Sequence, residues 1–289
     1  MKIISKFQKL FGINPSKIMS KKDERKIPFI LGVIPARFAS TRLMGKPLAN
    51  IGGKPMIQHT FEGASKSKLL NKIIIAVDDS KVADVAKSFG ASVMMTPKEV
   101  QTGTDRIAIV AKEFPRADII VNIQGDEPFI KGMMIDQAIE PLLFDPIVNV
   151  STLAKKINSA EELISPSIPK VVFDYENFAL YFSRSPIPFV REAADASEAI
   201  HLADIYKHIG LYAFRRESLF RFTSLEQTDL ERWEKLEQLR MLEHGFKIKV
   251  VVTEYDSFSV DTPEDLKLAR RLYSKLKKKI LKDENSKKS

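Results

Sequence analysis

Four apolar runs constrain this chain more than any other feature of it. Phe29–Ile34 (FILGVI), Lys72–Val77 (KIIIAV), Ser92–Thr96 and Ala117–Ile123 (ADIIVNI) are continuous rather than alternating. A strand with one face in water alternates apolar and polar residues, whereas a continuous run needs cover on both faces. The intervening segments carry helical spacing. Pro55 opens one at the favoured first-turn position, Asp78-Asp79-Ser80 caps another over Lys81–Phe89 with Gly90 just past its end, and a third spans Thr104–Phe114. Strand–helix alternation of this kind predicts an α/β fold, an open, mostly parallel sheet sandwiched by helices, whose ligands sit beyond the carboxyl ends of the strands.

The second half mixes its periods. Strands are expected at Asn149–Ala154, Lys170–Asp174, Phe178–Ser183, His208–Phe214 and Lys247–Thr253, with Tyr175-Glu176-Asn177 as a hairpin turn. One long helix is expected over Asp229–His244, with Leu230, Trp233, Leu236, Leu239 and Leu242 toward one side, and another over Thr262–Leu276 behind Asp261 as its cap.

Composition removes several classes. There is no cysteine, which excludes disulfides, thiol nucleophiles and thiolate-bound metals. The four histidines, His59, His201, His208 and His244, are scattered. No run approaches the ~18 apolar residues of a membrane span, and lysines at positions 2, 6 and 9 interrupt any secretory h-region, so a cytoplasmic location is expected.

The net charge of +9 is unevenly placed: residues 1–27 carry +6 and 275–289 carry +5, which leaves the body, 28–274, at −2. Lysine-rich ends are ordinarily solvated. Ile3, Ile4, Phe7, Leu10 and Phe11 could form the apolar side of a basic amphipathic helix, but Pro15 would end it early. The expected organisation is therefore a basic N-terminal extension (1–27), a single catalytic-sized domain (28–274) and a basic tail (275–289). Membrane or polyanion contact through the arms stays open as an alternative.

Three stretches carry chemistry. The first follows the first strand and sets Arg37, Arg42 and Lys46 among Ala36, Ala39, Ser40 and Gly45. Small residues let main-chain N–H groups approach anionic oxygens while the cations supply charge, as a polyphosphate requires. It is neither a Walker loop nor GxGxxG. The second, Gln124-Gly-Asp126-Glu-Pro, ends the fourth run. Asp126 there could hold Mg²⁺ on a triphosphate, although the composition also suits a plain turn. The third is Asp261-Thr-Pro-Glu264-Asp265, in which Asp261 could cap a helix or join Asp126 on the metal.

The blocks IPARFASTRLMGKPL (34–48), TGTDR (102–106), VNIQGDEPFI (121–130), LYFSRSPIP (180–188), KHIGLYAFRR (207–216), LEQLRMLEHG (236–245) and VDTPEDL (260–266) resemble the 3-deoxy-D-manno-octulosonate cytidylyltransferases, or CMP-Kdo synthetases. They occur in that family's order across roughly residues 28–272. The resemblance implies a nucleotide-diphospho-sugar transferase-like fold and Mg²⁺-dependent transfer of CMP from CTP to the sugar acid Kdo, with release of pyrophosphate, for lipopolysaccharide assembly. It assigns Arg37, Ser40, Arg42 and Lys46 to the CTP phosphates, and Thr102, Thr104 and Arg106 to the nucleotide. Asp126 and Asp261 go to the metal, while Gln124, Arg184, His208, Glu237 and Gln238 go to the sugar acid. Arg37, Lys46, Asp126 and Asp261 are the catalytic set, and a homodimer formed through the second half is implied. The chain departs from the family at Met44, where proline is common, and in its longer arms. An 8-amino Kdo analogue or another 2-keto-3-deoxy acid as substrate, and a non-catalytic nucleotide-binding protein, are the alternatives. His208 could also serve as a base, though a lone histidine beside a strand start is more often packed.

Overall fold

The computed structural model describes residues 27–39, 42–100 and 102–286, with side chains to residue 278. Ser40 and most of the N-terminal extension, with its expected short helix, lie outside the described residues. Among the described residues eleven strands are formed: β1 (Phe29–Ala36), β2 (Asn50–Ile51), β3 (Lys54–Pro55), β4 (Lys72–Val77), β5 (Ser92–Met95), β6 (Ala117–Asn122), β7 (Val150–Lys156), β8 (Lys170–Phe173), β9 (Ala179–Ser183), β10 (Tyr206–Arg215) and β11 (Ile248–Val252). The helices are α1 (Met56–Ala64), α2 (Ser80–Ser88), α3 (Gly103–Glu113), α4 (Gly132–Phe144), α5 (Ala160–Ile164), α6 (Ala196–Leu202), α7 (Arg216–Thr223), α8 (Asp229–Glu234), α9 (Glu237–Glu243) and α10 (Pro263–Ser286).

The main sheet has nine strands along the path β11-β7-β10-β6-β1-β4-β5, with β8 and β9 branching from β10. β1 pairs parallel to β4 and β6, and β4 to β5, while β10 runs antiparallel to β6 and β7. The expected mostly parallel sandwich is what forms. Alternate residues of each continuous run feed opposite cores. Ile75 and Val77 join α1, α2 and α4 on one face, and Ile74 and Ala76 join α3, α7 and α9 on the other. Both faces are covered, which is why the middle of β1, β4 and β6 is apolar on both sides, with Lys72, Asp118 and Asn122 toward the strand ends.

After β1 the chain moves outward through β4 and β5, then returns to the other side of β1 as β6. The loops leaving β1 and β6 therefore emerge side by side at the reversal of strand order, where open α/β sheets form their crevice. Their contact is tight: a Cβ added at Gly125 would lie 2.4 Å from the Pro35 carbonyl oxygen.

The structure differs from the sequence expectations at four points. The helix expected over Asp229–His244 is two helices, broken at Lys235, which adopts a left-handed conformation (φ 54°). Trp233 is consequently exposed rather than packed with the leucines. Helix α4 was not anticipated, because a glycine starts it and Pro141 lies inside it. The cap of α10 is Thr262, not Asp261: the amide of Asp265 donates to Thr262 Oγ1 (3.1 Å), and the Asp265 carboxylate accepts from the amides of Asp261 and Thr262. This reciprocal arrangement is a capping box with aspartate at its third position. It releases the Asp261 carboxylate from the helix end. Helix α10 also runs on to Ser286, past the Leu276 end that the sequence predicts.

Candidate functional site

The β1 loop closes on itself before it presents its cations. Phe38 donates its amide to Asp78 (2.9 Å) and accepts at its carbonyl from the Gly45 amide (3.1 Å). Gly45 has φ +66°, a left-handed turn that a side chain would strain. The turn delivers Lys46 to the first position of a short 3₁₀ helix, Lys46–Leu48.

Lys46 Nζ then donates to two acids at once, Asp126 Oδ2 at 2.6 Å and Asp261 Oδ1 at 2.9 Å. Arg42 reaches Asp261 as well, at 3.4 Å, from a largely exposed position. Burial pulls the Lys46 ammonium down, but the charges and hydrogen bonds of Asp126 and Asp261 outweigh it and leave the group above its ordinary value. Two acids 135 positions apart in sequence are thus gathered beside the basic loop, as the sequence reading requires. Arg37 leaves the end of β1 half-buried.

The donor chemistry fits a divalent cation held jointly with a substrate. Two carboxylates from separate segments converge on one positive charge. Among the described residues no group of three or more His, Cys, Asp or Glu forms an all-protein cage. Magnesium is commonly bound in that way, by one or two carboxylates with phosphate oxygens completing the shell.

The residues of the 102–106 segment divide. Thr102 caps α3, accepting from the Asp105 amide (3.0 Å). Thr104 points across the crevice and donates to Glu237 Oε2 (2.7 Å), joining the start of α3 to the start of α9. Arg106 corrects the expectation of a nucleotide contact: its side chain has no exposed surface, and its terminal nitrogens donate to Thr96 and Asp78. Burial lowers its pKa, Asp78 opposing and Arg37 adding to the fall. It braces the β1 loop from behind.

On the far side, Gln124 donates to the Gly210 carbonyl (3.3 Å), which a register shift in β10 turns toward it. Gln238 is buried, and its amide nitrogen has no hydrogen-bond partner. Burial pushes the Glu237 carboxyl up against the hydrogen bond from Thr104. Arg184 is committed to main-chain carbonyls, of Glu234 (2.6 Å), Pro166 (2.8 Å) and Lys235 (3.3 Å), which also fix the break between α8 and α9. These bonds use three of the five guanidinium N–H donors, so a carboxylate can be met by the others without displacing a carbonyl.

His208 is walled in by the rings of Phe182 and Tyr212 at 4.9 and 5.4 Å between centroids. Burial lowers it to about 3, so it is neutral near pH 7 and is a poor proton acceptor. Thr152 Oγ1 lies 2.9 Å from Nε2 and also faces the Leu211 carbonyl at 2.9 Å. A carbonyl cannot donate, so the hydroxyl gives its proton to Leu211 and accepts one from Nε2. A folded-state pKa below the unfolded value of about 6.5 means that the unfolded chain takes up the proton first. Stability is therefore lost as pH falls from about 6.5 toward 3. Between pH 7 and 5 the loss from this ring is about 2 kcal/mol. Urea titrations of wild type and His208→Gln at both pH values should show the variant losing less by that amount; equal losses would place the ring in water.

Two positions beside the site escape sequence reasoning. Asp78 reads as part of a helix cap, but Asp79 alone does that work. Glu127 reads as a turn residue; it is buried, accepts from Ser257 Oγ (2.8 Å), and is pushed by burial up to about 7, the Ser257 hydrogen bond opposing and the charge of Asp126 adding.

A cytidylyltransferase family profile matches residues 31–248. A 3-deoxy-manno-octulosonate cytidylyltransferase of Geobacter sulfurreducens is 49% identical over 241 residues, covering 82% of this chain and 96% of that one. One from Solibacter usitatus is 50% identical over 245 residues, covering 84% and 94%. Among solved structures, a CMP:2-keto-3-deoxy-manno-octonic acid synthetase complexed with CTP superposes with a TM-score of 0.79 at 39% identity, over 86% of this chain and 99% of that one. A 4-diphosphocytidyl-2C-methyl-D-erythritol synthase from Anaerococcus prevotii, 15% identical with a TM-score of 0.55, shares the fold. It covers 86% of this chain and 96% of its own.

Proposed function

Because the chain belongs to the cytidylyltransferase family, within its 3-deoxy-manno-octulosonate members, we propose that it transfers CMP from CTP to Kdo for lipopolysaccharide synthesis, using Mg²⁺ held by Asp126 and Asp261. The observation that carries this reading is the shared grip of those two acids on Lys46, at the carboxyl ends of β1 and β6. Residues 28–274 act as one nucleotidyltransferase domain, in the cytoplasm and as a homodimer.

The sugar hydroxyl oxygen bonds to the α-phosphorus and gives its proton to water, the bond from that phosphorus to the bridging oxygen breaks, and pyrophosphate leaves. Such a displacement needs alignment and charge neutralisation more than a covalent intermediate. Arg37, Arg42 and Lys46, with Ser40 and the loop amides, hold the triphosphate, and Thr102 and Thr104 carry the helix that meets the nucleoside. When bound, magnesium offsets the phosphate charge and lowers the pKa of an oxygen bound to it. Asp126 and Asp261 would hold it and place it against the Lys46 side of the triphosphate.

Gln124, Glu237 and Gln238 orient the sugar acid, and Arg184 pairs with its carboxylate. The unpartnered Gln238 amide supports this, since a buried donor without an acceptor is costly unless a ligand supplies one. The neutral His208 contributes shape and a hydrogen-bond acceptor at Nδ1, not a charge. Pyrophosphate release with CTP and Mg²⁺ tests the proposal. Kdo should give turnover at least about tenfold above its 8-amino analogue, a difference of about 1.4 kcal/mol in transition-state binding. Faster turnover of the analogue would reassign the substrate, and no release with any sugar acid would end the catalytic reading.

A further inference from the structure

Asp261 precedes the helix that follows it, and the cap of that helix holds the Asp261 amide but not its carboxylate. Its position opposite Asp126 has to come from the segment before it. That segment, 253–260, is a strap without regular secondary structure, yet it is tied down along its length. Thr253 Oγ1 donates to Gln137 of α4 (2.7 Å). Asp256 is clasped between Lys155 of β7 (3.2 Å) and Lys207 of β10 (3.0 Å). Ser257 donates to Glu127 (2.8 Å), and Phe258 stacks on Phe129 with centroids 5.5 Å apart. The Val260 amide donates to the main-chain oxygen of Asp126 itself (2.9 Å).

The tethers end on β7, β10, α4 and the β6 turn, so the strap is located by the neighbouring strands β7, β10 and β6 together. Its last three anchors fall on the turn that carries Asp126. We infer that Ser257 and Asp256 are positioning residues for the Asp126–Asp261 pair, setting the separation of the two carboxylates without touching what they bind. The Ser257 hydroxyl fixes the strap to the neighbour of Asp126, and the Asp256 clasp prevents it from sliding along β7 and β10. This rests on the proposed metal role of the two acids. Residues that hold metal ligands in place ordinarily influence metal affinity by about ten- to a hundredfold.

The test is Mn²⁺ binding to the full chain in the presence of CTP, followed by electron paramagnetic resonance, together with steady-state kinetics and thermal melting. Ser257→Ala should weaken Mn²⁺ about tenfold and lower kcat, with the KM for CTP unchanged. Ser257→Thr, which keeps the hydroxyl, should restore both, and Asp256→Asn should weaken Mn²⁺ in the same direction. Asp261→Asn serves as the reference. If it abolishes Mn²⁺ binding while Ser257→Ala leaves it intact, or lowers only the melting temperature, the positioning role is wrong and the metal pair stands. If Asp261→Asn also leaves Mn²⁺ binding unchanged, the metal pair itself falls.

Discussion

Asparagine at either Asp126 or Asp261 should lower kcat by about a hundred- to a thousandfold, the cost of removing one preorganised charge from a transition state that depends on it. The side chain keeps its shape, so the change isolates the charge. Little stability should be lost. The two carboxylates are 21% and 34% exposed, Lys46 retains its second partner in each single variant, and partly exposed ion pairs contribute little. The double variant should be nearly as active as the slower single one, because groups that hold one ion act as a unit. Single-turnover rates with saturating CTP and Mg²⁺ would show this. Either variant turning over within about threefold of wild type, roughly 0.7 kcal/mol, would take that aspartate out of the site.

That pair was legible in the sequence for a reason that does not extend to its surroundings. Asp126 directly follows a continuous apolar run, and any residue at the carboxyl end of a buried parallel strand is delivered to the crevice. The same logic located Lys46 and Arg37. Asp261 was legible only in part. Its motif suits a helix cap, and which of two adjacent residues caps is decided by rotamers that a sequence does not display. The break at Lys235 was hidden because leucines at 230, 236, 239 and 242 fit a continuous helix; the left-handed turn there is held by Arg184, far away in sequence. Arg106 misled in the opposite direction. Arginines are seldom fully buried, and a cation beside a nucleotide-contacting block reads as a ligand until the acid behind it is seen.

The burial of Arg106 makes Asp78 the position where a single substitution should cost the most stability. Its carboxylate is 7% exposed and faces the wholly buried guanidinium at 3.3 Å, while its other oxygen receives the Phe38 amide. Asp78→Ala removes the compensating charge from a cation that cannot reach water and whose Nε already has no acceptor. Breaking a buried pair on one side costs about 3–5 kcal/mol, a large part of the roughly 5–15 kcal/mol that holds a domain together. Urea unfolding should show that loss. Replacing both partners, Asp78→Ala with Arg106→Met, should recover most of it, because an apolar pair needs no compensation. Recovery of the fold should not bring back nucleotide use. The Phe38 amide has lost its acceptor in the double variant too, the β1 loop is no longer pinned at the residue whose carbonyl closes it onto Gly45, and the KM for CTP should stay raised about tenfold, or 1.4 kcal/mol. A double variant that regained both stability and CTP affinity would show that Asp78 only neutralises Arg106; one that regained stability alone would show that the same carboxylate also shapes the loop that carries Lys46.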